Sequence, residues 1–287
     1  MRSGKQAARN GAGAHPTPGR GWSDEPAAAR WQVRIVVPGL PLQATSVLLS
    51  RGAEHILVDT GFPAHEAILI EGLQRAGVAA DAVTAVINTH YHLDHFGAND
   101  HFPQAVVYGS KLDFEWATSI YDSVCSGESR REVFRTFYPE VTDDEFDNMD
   151  NARLLQLIRW MYEPAICGDL GRYRWFEEHE FQVPGLHIVQ TPGHTPGHVS
   201  VAVDGVEGPY LILGDARSFF DNSTLGYDMP PHNHAVYQQT RTRILDRFAG
   251  ILIPGHDDAF TQAGDPADLG RHHGRRTTLA VEAPGQD

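Results

Sequence analysis

The chain has 287 residues, 41% of them hydrophobic, and its 37 acidic side chains against 23 basic ones give a net charge of −14. That length and apolar content suffice for one large domain or a domain with an insert. The charge argues against a nucleic-acid partner, which needs a basic stripe facing the phosphates. With no apolar run long enough to span a bilayer and no apolar leader core, the expectation is a cytoplasmic protein without membrane contact.

Residues 1–29 are rich in Ala, Gly, Pro and Arg and lack periodicity. They read as a disordered arm, with an arm laid over the partner of a homodimer as the alternative. A domain over 30–270 follows, then a flexible tail over 271–287. Apolar alternation predicts strands at 32–37, 45–49 and 55–58. Residues 64–76 place Ile68, Leu69, Leu73 and Ala76 at helical spacing, with Gly77 as the stop. Strands at 83–88 and 105–109 come next.

Residues 111–172 read as a helical insert. Thr142-Asp143-Asp144-Glu145 is a capping box; Leu154, Leu155, Ile158 and Met161 continue its helix, and Pro164 stops it. Phe114, Trp116, Tyr121, Phe134, Phe137, Tyr138, Trp160 and Tyr162 make the insert rich in rings. Most of these are expected to pack on the domain and a few to form a lid or the wall of an apolar pocket. Cys125 and Cys167 also fall here; they read as buried free thiols, with a single bridge as the alternative. Beyond the insert, strands are expected near 173–176, 179–183, 186–190, 199–203 and 210–214. A helix at 234–248 and a strand at 251–253 complete the domain.

The chemistry concentrates at the ends of these strands. His90-Tyr91-His92-Leu93-Asp94-His95 puts three imidazoles and a carboxylate in six residues directly after Ala85-Val86-Ile87. Neutral imidazole and carboxylate are the ligands of a zinc-like divalent ion. In extended backbone, residues i and i+2 project together, so His90 and His92 can grip one ion while Asp94 and His95 reach a second. Three later motifs each follow an apolar strand and carry His194, Asp215 and His256. His198 reads as a structural partner to the ligands, and His232 and His234 as ordinary loop histidines.

On these four motifs the chain resembles the metallo-β-lactamase-fold hydrolase superfamily. The resemblance implies an α/β (α+β) fold, a four-layer αββα sandwich with the helical insert. It implies two divalent metal ions, zinc first, with iron or manganese as alternatives. His90, His92 and His194 would hold one, Asp94, His95 and His256 the other, and Asp215 would bridge them. Asp59 matches the superfamily's buried aspartate behind the metal-binding loop. Asp215 speaks against class B β-lactamases, and His92 stands where flavodiiron proteins carry a glutamate.

The runs Thr191–Ser200 and Gly255-His256-Asp257 are most similar to the N-acyl homoserine lactonase group. That group carries a catalytic tyrosine three residues after the bridging aspartate, where this chain has Ser218; Tyr227 on the same stretch is the expected substitute, with Tyr162 as the lesser alternative. The implied function is cleavage of an ester-like bond, a lactone first, by a hydroxide between the metals, with Asp94 as proton relay. The alternatives are a thioester or amide hydrolase of a specialised biosynthetic route, or an iron-dependent redox enzyme. The expected partner is a small-molecule substrate with an apolar portion.

Overall fold

Alternation along the strands sorts the side chains of two sheets into three apolar layers. The computed structural model describes residues 30–40, 43–139, 142, 147, 162–217, 231–245 and 248–261. Strands β1 (Gln32–Val37), β2 (Ser46–Arg51), β3 (Glu54–Val58), β4 (Ala85–Ile87), β5 (Val106–Gly109) and β6 (Tyr173–Trp175) form one sheet in that order. Its first three strands pair antiparallel and the rest parallel. Strands β7 (Leu186–Gln190), β8 (Val199–Gly205), β9 (Gly208–Gly214), β10 (Ile251–Pro254) and β11 (Phe260–Thr261) form the second, in the order β11-β10-β9-β8-β7. Only β9 and β10 run parallel in it.

The described helices are α1 (Glu66–Arg75), α2 (Leu93–Phe96), α3 (Lys111–Cys125), α4 (Arg130–Phe137) and α5 (His234–Leu245). Between the sheets, Val47, Leu49, Ile56 and Val58 meet Leu186, Val201, Val203 and Ile212. The intervening residues Leu48, Leu57, Val86 and Val107 face outward onto Leu69 and Leu73 of α1 and Ala117 and Ile120 of α3. On the far side, Ala202, Leu211, Leu213 and Leu252 pack against Ile244 and Phe248. Strands buried on both faces explain the near-continuous apolar runs in β2, β3 and β9. The layers are helix, sheet, sheet, helix, the αββα arrangement.

Two expectations need correction. Residues 179–183 are not a strand; they lie in the crossing from β6 at the edge of one sheet to β7 at the edge of the other. Phe181 and Val183 are apolar because they pack against the layer between the sheets. Pro184 offers no N–H for pairing, and its carbonyl accepts from Trp31 Nε1 at 3.0 Å and Arg51 at 2.7 Å. Short β11 was not expected; two residues give too little pattern to read.

α1 begins after a single turn at Pro63–His65 and stops at Gly77, whose φ of 76° suits glycine. In the insert, Ser110 Oγ accepts from Asp113 N at the head of α3, and Ser129 with Glu132 forms a capping box on α4. Ile120, Val133, Phe134, Tyr138 and Tyr162 seat these elements on the outer face of the first sheet. The capping box expected at 142–145, apart from Thr142, and the helix through Leu154–Met161 lie outside the described residues, as do 1–29 and 271–287. Both cysteines are free, but only Cys167 is buried; Cys125 is exposed, at the end of α3 rather than in the core. No described helix is long and apolar enough to cross a membrane.

Candidate metal centre

Four strands end at one edge and deliver the seven predicted ligands. β4 is wholly buried and runs out into Asn88-Thr89. The chain bends at Thr89 and His90, and His92, at φ −90° and ψ 140°, is the N-cap of α2. The single turn of α2 then re-aims the chain, so Asp94 and His95 address a different point from His90 and His92. Leu93 and Phe96, 0% and 2% exposed, anchor that turn in the core. His194 follows β7, Asp215 follows β9 and His256 follows β10. Gly214 at φ 53° allows Asp215 to turn inward, and a Cβ on Gly255 would stand 2.2 Å from Asp215 Oδ1.

The ligand atoms fall into two groups: His90, His92, His194 and Asp215, and Asp94, His95 and His256, each group within 4.8 Å. His92 Nδ1 and His194 Nε2 are 3.0 Å apart. Asp215 reaches both groups, with Oδ2 at 3.9 Å from His90 Nε2, 3.4 Å from His194 Nε2 and 3.4 Å from His256 Nε2. Its Oδ1 lies 3.4 Å from His95 Nε2. In the second group His256 Nε2 is 3.1 Å and His95 Nε2 3.9 Å from Asp94 Oδ2.

Four of the five rings are held from behind, which fixes which nitrogen faces inward. His95 Nδ1 donates to Asp59 Oδ2 at 2.7 Å. His90 Nδ1 donates to Thr89 Oγ1 at 3.1 Å, and Thr89 donates in turn to Asp59 Oδ2 at 2.8 Å. His92 Nε2 donates to the Tyr162 hydroxyl at 2.8 Å. His256 Nδ1 donates to Leu40 O at 3.0 Å. Asp59 adopts φ 58°, an uncommon conformation for a non-glycine residue, and from it accepts the Thr89 N–H at 2.8 Å with Oδ1.

Electrostatics favour the ligand forms. Burial, reinforced by neighbouring imidazoles, pushes His90 and His92 well below the usual histidine range, so both are neutral. Burial also lowers His194. For Asp94, burial alone would raise the carboxyl, but His95 and His256 outweigh it and bring it to about 2. Asp215 is likewise held well below the carboxylate range, His256 and His95 overcoming its burial.

The residues fit a pair of metal ions. Ligand atoms around a tetrahedral zinc stand roughly 3.3 Å apart, and the pairs here range from 3.0 Å to 3.9 Å. His90 Nε2, His95 Nε2 and Asp215 Oδ1 are buried without a hydrogen-bond partner. Buried polar atoms are rarely left so; His90 Nε2 lies in one ligand group and His95 Nε2 in the other, with Asp215 reaching both, so each group calls for a ligand.

His198 is the structural partner that the sequence suggests, and further supports were missed. His198 Nε2 accepts from Asp215 N at 3.0 Å, and its Nδ1 donates to Thr191 Oγ1 at 2.8 Å. It therefore fixes the backbone that aims Asp215. Asp113 accepts from Tyr91 N at 2.8 Å and Gly197 N at 2.9 Å. Tyr162 is 1% exposed and bonds Tyr138 as well as His92, so it supports the His92 ring. His232 lies on a loop, as expected; its backbone N donates to His194 O at 2.9 Å, its Nδ1 to Phe137 O at 2.8 Å, and its ring lies 5.4 Å from that of Trp116. The catalytic tyrosine expected at Tyr227, and Ser218, lie outside the described residues.

Comparison with known proteins agrees with this geometry. The family model of the metallo-beta-lactamase superfamily matches residues 39–256. The chain is 29% identical over 253 residues to the probable metallo-hydrolase YflN of Bacillus subtilis, covering 81% of this chain and 88% of that one. It is 24% identical over 213 residues to an N-acyl homoserine lactonase of a Bacillus species, covering 65% of this chain and 70% of that one. The structure of the metallo-beta-lactamase family protein TTHA1429 from Thermus thermophilus superposes with a TM-score of 0.56 at 20% identity, covering 80% of this chain and 75% of that one. That likeness shows the fold.

Proposed function

The chain belongs to the metallo-β-lactamase superfamily, and from that membership we propose that it is a dinuclear hydrolase of an ester-like bond, a lactone first. The observation that carries the reading is the Asp215 carboxylate, which stands 3.4 Å from His194 in one ligand group and 3.4 Å from His95 and His256 in the other. A bridging carboxylate is what a two-ion site needs.

His90, His92 and His194 would hold one ion, Asp94, His95 and His256 the other, with Asp215 shared. Zinc is the proposed ion; the same donors accept iron and manganese. Two such ions, when bound, supply Lewis acidity toward a carbonyl and a nucleophile at neutral pH. The protein's own contribution is order and proton handling. Asp59, Thr89, Tyr162 and Leu40 O keep four imidazoles aimed, so no ring reorients during the reaction. Asp94, ionised down to about pH 2, takes the proton of the attacking water and returns it to the departing oxygen. The half-buried Trp116 neighbours Phe137, Tyr138, Tyr162 and His232 beside His92 and supports an apolar portion in the substrate.

Similarity to the Bacillus lactonase supports a cyclic ester of the N-acyl homoserine type. A second reading, a thioester or amide, is favoured by one observation: Ser218 stands where that group carries its tyrosine. Proton release by zinc-loaded protein on N-acyl homoserine lactones of several chain lengths separates the two. Turnover that varies with chain length supports the lactonase. Absence of turnover with two zinc ions bound rejects it in favour of the second reading.

A further inference from the structure

Asp59 supports a ring in each ligand group, His95 directly and His90 through Thr89, but the remaining supports come from different parts of the chain. His95 and His256 are held by Asp59 and Leu40 O, within the domain's first strands and loops. The group containing His92 and His194 is held from the segment between β5 and β6. Asp113, in the first turn of α3, is fully buried, and its two oxygens accept different N–H groups. Oδ2 takes that of Tyr91, between His90 and His92; Oδ1 takes that of Gly197, three residues past His194. One carboxylate thereby ties two ligand-bearing loops that are more than a hundred residues apart in sequence. Their approach leaves no slack: a Cβ on Gly197 would lie 2.2 Å from Ser110 Oγ and 2.7 Å from Asp113 N. From the other end of the segment Tyr162 accepts from His92 Nε2, leaving Nδ1 to face His194, and Tyr162 is itself bonded to Tyr138.

We propose that Asp113 and Tyr162 are positioning residues for one metal position only, the one built on His90, His92 and His194. Asp113 sets the distance between its loops and Tyr162 sets the His92 ring. The other position depends on neither. The two positions are therefore separable, and the first can be emptied while the second stays loaded. The inference rests on the dinuclear reading but not on lactone chemistry.

The test is zinc affinity, read by competition with a chromophoric chelator, on the full chain. Asp113→Asn keeps the volume but offers an acceptor to at most one of the two N–H groups. It should weaken one of the two zinc equivalents about 10–100-fold and leave the other unchanged. Tyr162→Phe removes a single oxygen and should weaken the same equivalent about tenfold; it decides the matter if Asp113→Asn does not fold. Adding His256→Ala, which deletes a ligand of the second position, to either variant should leave no tight equivalent. Ser129→Ala, at the capping box of α4 and away from both loops, is the control, in place of the cap on α3 that touches Asp113 itself. It removes the α4 cap, which lowers stability, and should move neither zinc equivalent. Cobalt(II) loaded into the variants should show a changed visible spectrum for the weakened position alone. Equal weakening of both equivalents, or of neither, overturns the proposal. A wild-type chain that binds fewer than two equivalents overturns it together with the dinuclear reading. Failure to open any lactone, with two equivalents bound, rejects the lactonase reading and leaves this one standing.

Discussion

Asp59 Oδ2 accepts from His95 Nδ1 at 2.7 Å, and the same oxygen accepts from Thr89 Oγ1 at 2.8 Å. The carboxylate of a residue in left-handed backbone thus orders both the metal motif's His95 and, through Thr89, its His90. Burial raises the Asp59 carboxyl, with His95 and Thr89 opposing. Folding accepts a buried carboxylate and a strained backbone at one residue, both expected only where the surrounding structure and the site demand them.

Asp59→Asn is the direct check. Asn tolerates positive φ, so the backbone should survive, but the amide removes the charge that aligns His95. Zinc affinity of the position built on Asp94, His95 and His256 should fall about 10–100-fold, and that of the position containing His90, which Asp59 reaches only through Thr89, should fall less, with an unchanged far-ultraviolet circular dichroism spectrum. Unaltered affinity would show that Asp59 only fills space.

Asp113 gives a pH dependence. Its burial pushes the carboxyl from 3.8 up to about 6, the N–H groups of Tyr91 and Gly197 opposing. A folded-state value above the unfolded one means that the folded chain holds this proton more tightly. Its stabilisation is complete below pH 3.8 and is lost as pH rises through about 6. In metal-free protein, urea unfolding should show wild-type stability falling relative to Asp113→Asn by about 3 kcal/mol across that window. A difference that grows with pH would contradict the assignment.

The thiols should separate cleanly. Cys125 is exposed and Cys167 buried. Burial pushes the Cys167 thiol up to about 12, so it stays protonated at neutral pH. Native protein treated with a disulfide reagent at pH 8 should release one thiol equivalent quickly and a second only on denaturation. Two fast equivalents would place Cys167 at the surface.

Much of this was legible in the residues. Period-two alternation located nearly every strand, and ligand residues placed after apolar runs located the metal motifs, because both signals are local. What escaped is non-local. Asp113 in a helix's first turn looks like any acidic residue favoured by the helix dipole; only the fold brings Tyr91 and Gly197 to it. Tyr162 looks like one more ring in a ring-rich insert until His92 is beside it. Residues 179–183 carry a strand's apolar pattern because Phe181 and Val183 are buried between the sheets, yet Pro184 and the crossing between sheet edges deny them a pairing partner.

The most direct measurement is metal content: elemental analysis of the chain after loading with zinc and exhaustive dialysis, alongside Asp215→Asn. Two zinc ions per wild-type chain, and loss of tight binding at both positions in the variant, are the predicted results. A wild-type chain that retains fewer than two, or an Asp215→Asn chain that holds two as tightly as wild type, would contradict a carboxylate shared between two metal ions.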